Sequence, residues 1–116
     1  MEFIQTNRVR HVDLNKFTIE ELIKLPLSPG WVLISQKKNG IGEWRKDIGN
    51  GHIVMVLVSQ TIFKHGYGKS RTYTRRWYAQ AIDLKTDETR ELTKLPPEYS
   101  TQKEALVEAN YYMMRV

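Results

Sequence analysis

A chain of 116 residues can enclose one hydrophobic core and not two, so a single domain spanning 1–116 is expected. Its 41% hydrophobic and 27% charged residues exclude wholesale disorder, and the absence of cysteine excludes a disulfide scaffold and any thiolate zinc site. The formal net charge of +5 favours polyanionic partners: nucleic acid, acidic proteins or anionic surfaces.

Met1 to Arg8 lacks the apolar stretch of a signal peptide, and the longest uninterrupted apolar run, Ile53 to Val58, is far too short to span a membrane. The expectation is a cytoplasmic protein with no membrane partner. The N-terminal segment, 1–27, holds the first helix. Thr18 is its N-cap and Glu21 closes a capping box, while Phe17 and Leu22 form a hydrophobic staple. Ile19, Leu22 and Ile23 make the apolar stripe, and Pro26 stops the helix. Short extended pieces around Phe3-Ile4 and Val9 to Val12 precede it.

The period of hydrophobicity changes to two after Ser28-Pro29-Gly30, and residues 28–95 read as an antiparallel sheet. Trp31 to Lys38, Ile41 to Ile48 and His52 to Phe63 are strands separated by Asn39-Gly40 and Asn50-Gly51. Asn-Gly supplies the positive φ that a two-residue type I′ hairpin turn requires, so a three-stranded meander follows. Residues 64–71 form the tip of a longer hairpin, whose returning strand runs from about Thr72 to Leu84. Thr86 to Thr89 turns the chain again into a short edge strand near Arg90 to Thr93, stopped by Pro96-Pro97. A C-terminal helix over 101–115 begins with Thr101 as N-cap and Glu104 at its third position. Ala105, Leu106, Ala109, Tyr112 and Met113 lie on one face of it. The fold class is therefore α+β: an antiparallel meander of four to five strands with a short N-terminal helix and a C-terminal helix on one face. In the strand after the tip, the small side chains Ala79 and Ala81 place the odd-numbered residues inward. Thr74, Arg76, Tyr78 and Gln80 then point outward.

Charge is not spread evenly along this plan. Residues 1–60 sum to +2, 61–82 to +5 and 83–116 to −2, and no acidic residue occurs between Asp47 and Asp83. Lys64, Lys69, Arg71, Arg75 and Arg76 are interleaved with Tyr67, Tyr73 and Tyr78. Cations neutralise phosphate and flat rings stack on bases, so this hairpin is the candidate nucleic-acid-binding site, for DNA or RNA. The alternative is a protein-binding module or inhibitor whose basic hairpin docks in an acidic cleft of a partner, such as an enzyme that handles nucleic acid. A third reading, a small-ligand pocket lined by Trp31, Trp44 and Trp77, rests on aromatic content alone.

Catalytic and metal chemistry find less support. His65-Gly66-Tyr67-Gly68-Lys69-Ser70 lacks the spacing of a phosphate loop and precedes a strand, so its glycines serve the hairpin tip. His11, His52 and His65 have no ligand spacing, and neither metal nor cofactor is expected. Glu43, Arg45 and Asp47 share a strand face as a surface charge ladder. No catalytic residue and no enzymatic activity are expected. Tyr111, Tyr112, Met113 and Met114 are more apolar surface than one helix face hides. A homodimer through the C-terminal helix, or contact with residues 1–12, would cover it. The order of strands then helix over 52–114, with its Thr-x-x-Glu-Ala cap at Thr101–Ala105, resembles three-stranded DNA-binding modules of plant transcription factors and integrase arm-binding domains. It also resembles whirly-type and transcriptional-coactivator layouts. This is a likeness of element order that transfers no residue.

Overall fold

One antiparallel sheet holds five strands side by side in chain order and a sixth, two-residue strand at its edge, with a short N-terminal helix and a longer C-terminal helix on one face. The computed structural model describes residues 13–25, 29–36, 42–90 and 98–116. The pieces expected around Phe3-Ile4 and Val9 to Val12, the Asn39-Gly40 turn and the Pro26 and Pro96-Pro97 stops lie outside these residues.

A 3₁₀ turn at Leu14–Lys16 leads into helix α1, Ile19–Lys24. The capping box is complete: the Glu21 N–H donates to Thr18 Oγ1 at 3.2 Å, and the Thr18 N–H donates to Glu21 Oε1 at 2.9 Å. Leu22 and Ile23 face the core, whereas Ile19 stays exposed. Strands β1 (Val32–Gln36), β2 (Gly42–Gly49) and β3 (His52–His65) follow. The expected turn joins β2 to β3, with Asn50 at φ 56° and Gly51 at φ 80°. A 3₁₀ turn at Gly68–Ser70 connects β3 to β4, Thr72–Asp83. Strand β5, Glu88–Arg90, begins two residues before the edge strand read from the sequence. Both β5 and a two-residue strand β6, Glu98–Tyr99, lie along the same edge of β4. Two residues are too few to leave an alternating pattern, so β6 was not legible in advance.

Helix α2, Gln102–Arg115, packs on β3, β4 and α1. Thr101 caps it by accepting from the Glu104 N–H at 3.2 Å. The box is not reciprocal here, because the Glu104 carboxylate takes the Thr101 hydroxyl at 3.3 Å. Ala105 and Ala109 on the helix, and Ala79 and Ala81 on β4, are all fully buried. Small side chains on both elements let helix and sheet approach closely. They also establish the odd-numbered set of β4 as the inward one, as the sequence pattern implies.

Buried polar donors tie the helices to the sheet. A six-residue helix has too few internal bonds to satisfy its own last carbonyls. The Trp44 Nε1–H donates to the Ile23 carbonyl at 3.1 Å, and Asn110 Nδ2 donates to the Leu22 carbonyl at 2.9 Å. At the end of α2 the Trp31 Nε1–H donates to the Met113 carbonyl at 2.9 Å, while its ring meets Tyr112 edge-on at 6.4 Å between centroids. Trp31 and Trp44 are thus core residues and Trp77 packs against the core, so the three indoles do not line an open pocket. Tyr111, Tyr112 and Met113 are no more than 6% exposed within the chain. Met114 is half-buried against the same core, so most of the apolar surface that argued for a second copy at the C-terminal helix is engaged within the chain.

Trp44→Phe keeps an aromatic side chain but removes the indole N–H and part of the ring volume, stranding the Ile23 carbonyl in the core. Urea unfolding should show a loss of roughly 1–3 kcal/mol with an unchanged m-value. Gly42→Ala should destabilise through the same ring, because a Cβ at Gly42 would lie 2.6 Å from the Trp44 indole.

Candidate nucleic-acid interface

Strands β3 and β4 pair without a register shift from Val54–Asp83 to His65–Thr72. Their lower half is core: Val54, Val56 and Val58 face the helices together with Ala79 and Ala81. The described pairing of β2 with β3 ends at Gly42–Val58, and β6 reaches β4 only at Trp77–Tyr78. Beyond this line the two strands continue as a ribbon, and every residue from Thr61 to Tyr73 is exposed. The six residues Gln60 to His65 carry the ribbon about 20 Å along the strand direction. The local sequence explains both halves. Val-rich alternation suits a half-buried strand, and Thr, Tyr, Phe and Ile maintain β geometry where no helix covers it.

The tip is built by its glycines. Gly66 has φ 81°, and a Cβ there would lie 2.7 Å from the Ser70 carbonyl oxygen. The Ser70 N–H donates to the Tyr67 carbonyl at 3.1 Å and the Arg71 N–H to the Gly68 carbonyl at 3.3 Å. Tyr67, within the tip, is 92% exposed.

Unbroken register sorts the expected site residues by face. Lys64, Tyr73 and Arg75, with Ile62, continue the helix-side face, on which Lys64 stands opposite Tyr73 and Ile62 opposite Arg75. Arg76 and Tyr78 continue the other face, with Phe63, and Lys69, Arg71 and Tyr67 belong to the tip. The five cations are brought onto one arm, but the three tyrosines are not brought onto one surface. Lys64, Lys69, Arg71 and Arg75 make no ion pair with any described residue. Arg76 differs. The fold carries Glu98 on β6 beside it, Nε to Oε1 3.7 Å, so the acid-free stretch of sequence is not wholly acid-free in space. Sequence separation hid that neighbour.

The sheet face opposite the helices is mainly aliphatic above the arm's base, with Met55, Leu57 and Ile82 half-buried and Val32 and Ile53 exposed. Its charges pair locally: the Arg45 Nε–H donates to Glu43 Oε2 at 2.8 Å, and Asp47 Oδ1 accepts from the Gly49 N–H at 2.8 Å. That is the expected charge ladder.

A second polar cluster lies at the opposite end of β3 from the arm. His52 Nδ1 is 2.6 Å from Asp83 Oδ2, and Asp83 Oδ1 accepts from the Lys85 N–H at 3.0 Å and the Thr86 N–H at 3.4 Å. Lys85 Nζ donates to the Asn50 carbonyl at 2.9 Å, which fastens the two turns together. Burial is the largest single influence on the Asp83 carboxyl and pushes it up. The hydrogen bonds from His52, Lys85 and Thr86, with the His52 charge, outweigh burial and hold the group below its ordinary 3.8. Local spacing gives His52 no partner, because its carboxylate lies thirty-one positions away. Among the described residues no group of three or more His, Cys, Asp or Glu side chains is placed to hold a metal ion. No described helix is long and apolar enough to cross a membrane.

No family model, curated protein or solved structure matches this chain. The likeness in element order to DNA-binding and coactivator folds therefore adds nothing to the geometry.

Because the folded Asp83 carboxyl titrates below its unfolded value, its contribution to stability is present above about pH 4 and disappears as pH falls through the depressed folded value. Asp83→Asn should lower the melting temperature at pH 7 and flatten the acid limb of stability against pH below 4. An acid limb identical to that of the parent would show that Asp83 does not set it.

Proposed function

We propose that this protein is a small, non-enzymatic, cytoplasmic nucleic-acid-binding protein that uses the β3–β4 arm as its contact. One observation carries the reading: an exposed two-stranded ribbon concentrates Lys64, Lys69, Arg71 and Arg75, and among the described residues no carboxylate pairs with any of them. Cations that serve only to keep a hairpin soluble need not be so segregated, and a structural surface of this charge would normally be threaded with acids. Arg76, half-committed to Glu98 at the base, adds to the field and contributes less to a direct contact. Phosphate contacts of this kind give affinity and position without reading sequence. The surface of α2 that would serve a homodimer is largely engaged within the chain, so the reading is framed for a single copy.

Fluorescence anisotropy with labelled oligonucleotides, using nuclease-treated protein across a salt series, tests this. The logarithm of affinity should fall with the logarithm of salt at a slope of about −3 to −5, as four or five phosphates are neutralised. Lys64→Ala with Arg75→Ala should reduce the magnitude of that slope by about 2. Both side chains are exposed, so thermal stability should stay within about 0.5 kcal/mol of the parent. An unchanged slope in the double variant removes the arm as the contact. A protein that binds no nucleic acid at low salt turns the arm toward an acidic protein cleft.

A further inference from the structure

The direction in which the charges face narrows the partner further. This step rests on the arm being the contact. A single strand lies along one surface, where successive bases need rings that share a face. Here Tyr73 is on the helix-side face, Tyr78 on the opposite face and Tyr67 at the tip; Trp77 shares the Tyr73 face but is half-buried and packs against the core, so no continuous run of exposed rings exists. Phe63 and Tyr78 do share a face, but Tyr78 is half-buried and lies four pairs away along the ribbon, with Arg76 drawn toward Glu98 between them. The cations are divided in the same way. Lys64 and Arg75 occupy one face, Arg76 the other, and Lys69 and Arg71 the tip. A ligand on one side reaches only some of them. A groove walled by two phosphate backbones meets both faces and the tip at once, with Arg76 contributing less because Glu98 lies beside it.

We infer that the arm enters the major groove of B-form duplex DNA tip-first, with Tyr67 at its leading end. The dimensions agree. Two strands about 4.8 Å apart, with their side chains, fill a groove about 12 Å wide and about 8.5 Å deep, whereas the major groove of A-form RNA is too narrow to admit them. The ribbon projects about 20 Å, so it reaches the floor of the groove before the body of the sheet meets the backbone. The tip arrives in a set shape, because Gly66 adopts the left-handed backbone and two backbone hydrogen bonds close the turn behind Tyr67. The phenol then meets base edges, where its hydroxyl can donate or accept and its ring can lie on a thymine methyl.

The test compares three labelled probes at one salt concentration: a duplex DNA of about 20 base pairs, one strand of it alone, and the RNA duplex of the same sequence. Duplex DNA should bind at least about tenfold more tightly than either of the others. Netropsin, which occupies the minor groove, should leave the complex intact. Tyr67→Ala should weaken duplex binding by about tenfold while leaving the melting temperature unchanged, since the side chain is 92% exposed. Single-stranded DNA or duplex RNA binding as tightly as duplex DNA overturns the groove inference, and so does displacement by netropsin. If that binding is still weakened by Lys64→Ala with Arg75→Ala, the arm remains the contact. Failure of all three probes to bind overturns both readings.

Discussion

Three buried side-chain donors govern how this small fold closes. Helix ends leave carbonyl groups without partners, and a carbonyl enclosed by apolar side chains must be satisfied or it destabilises the core. Trp44 and Asn110 satisfy the end of α1, and Trp31 satisfies the end of α2. Each bond joins elements far apart in sequence, eighty-eight positions in the case of Asn110 and Leu22. They therefore act as directional locks on an arrangement that hydrophobic burial alone would leave free to slide. Asn110 is fully buried and bonds Leu106 as well, so a single amide holds α1 against one turn of α2.

With the helices locked at one end of the sheet, the long β3–β4 pairing divides into two regions of different chemistry. The backbone ladder is continuous, and only the covering layer ends. Up to Val58 the inward positions are aliphatic and buried; beyond it the same positions hold Gln60, Ile62 and Lys64. An arm of this kind is stable because its strands are extensions of central ones, so the register set in the core is inherited by the exposed part. An isolated two-stranded hairpin would be marginal in water. The glycine-built tip adds order at the far end, where no packing is available.

Electrostatics follow the same division. In the body, several charges are paired or used as caps: Arg45 with Glu43, His52 with Asp83, and Asp47 on the Gly49 amide. On the arm, Lys64, Lys69, Arg71 and Arg75 have no acidic partner among the described residues, whereas Arg76 at its base lies beside Glu98. An unbalanced field on a projecting element suits recruitment of a polyanion, because like charges gathered in one place raise the local attraction and the rate of encounter.

The sequence by itself determined the local plan. Asn50-Gly51, the Thr18–Glu21 box, the alternation of Val54, Val56 and Val58 and the small residues Ala79 and Ala81 specify turn, cap, strand and face through short-range sterics and periodicity. The basic hairpin was legible in the same way, as a run of cations without acids. What only the tertiary structure decided depends on residues distant in the chain. Glu98 beside Arg76 and Asp83 beside His52 arise from strand pairing, and Tyr111 to Met113 are buried by the way α2 lies across the sheet and against α1. Alternation along β4 already sets Tyr73 and Tyr78 on opposite faces, whereas the cross-strand register, known only from the fold, puts Lys64 opposite Tyr73 and Ile62 opposite Arg75. A linear sequence records which residues can meet, while closure of the sheet over its helices selects which of them do.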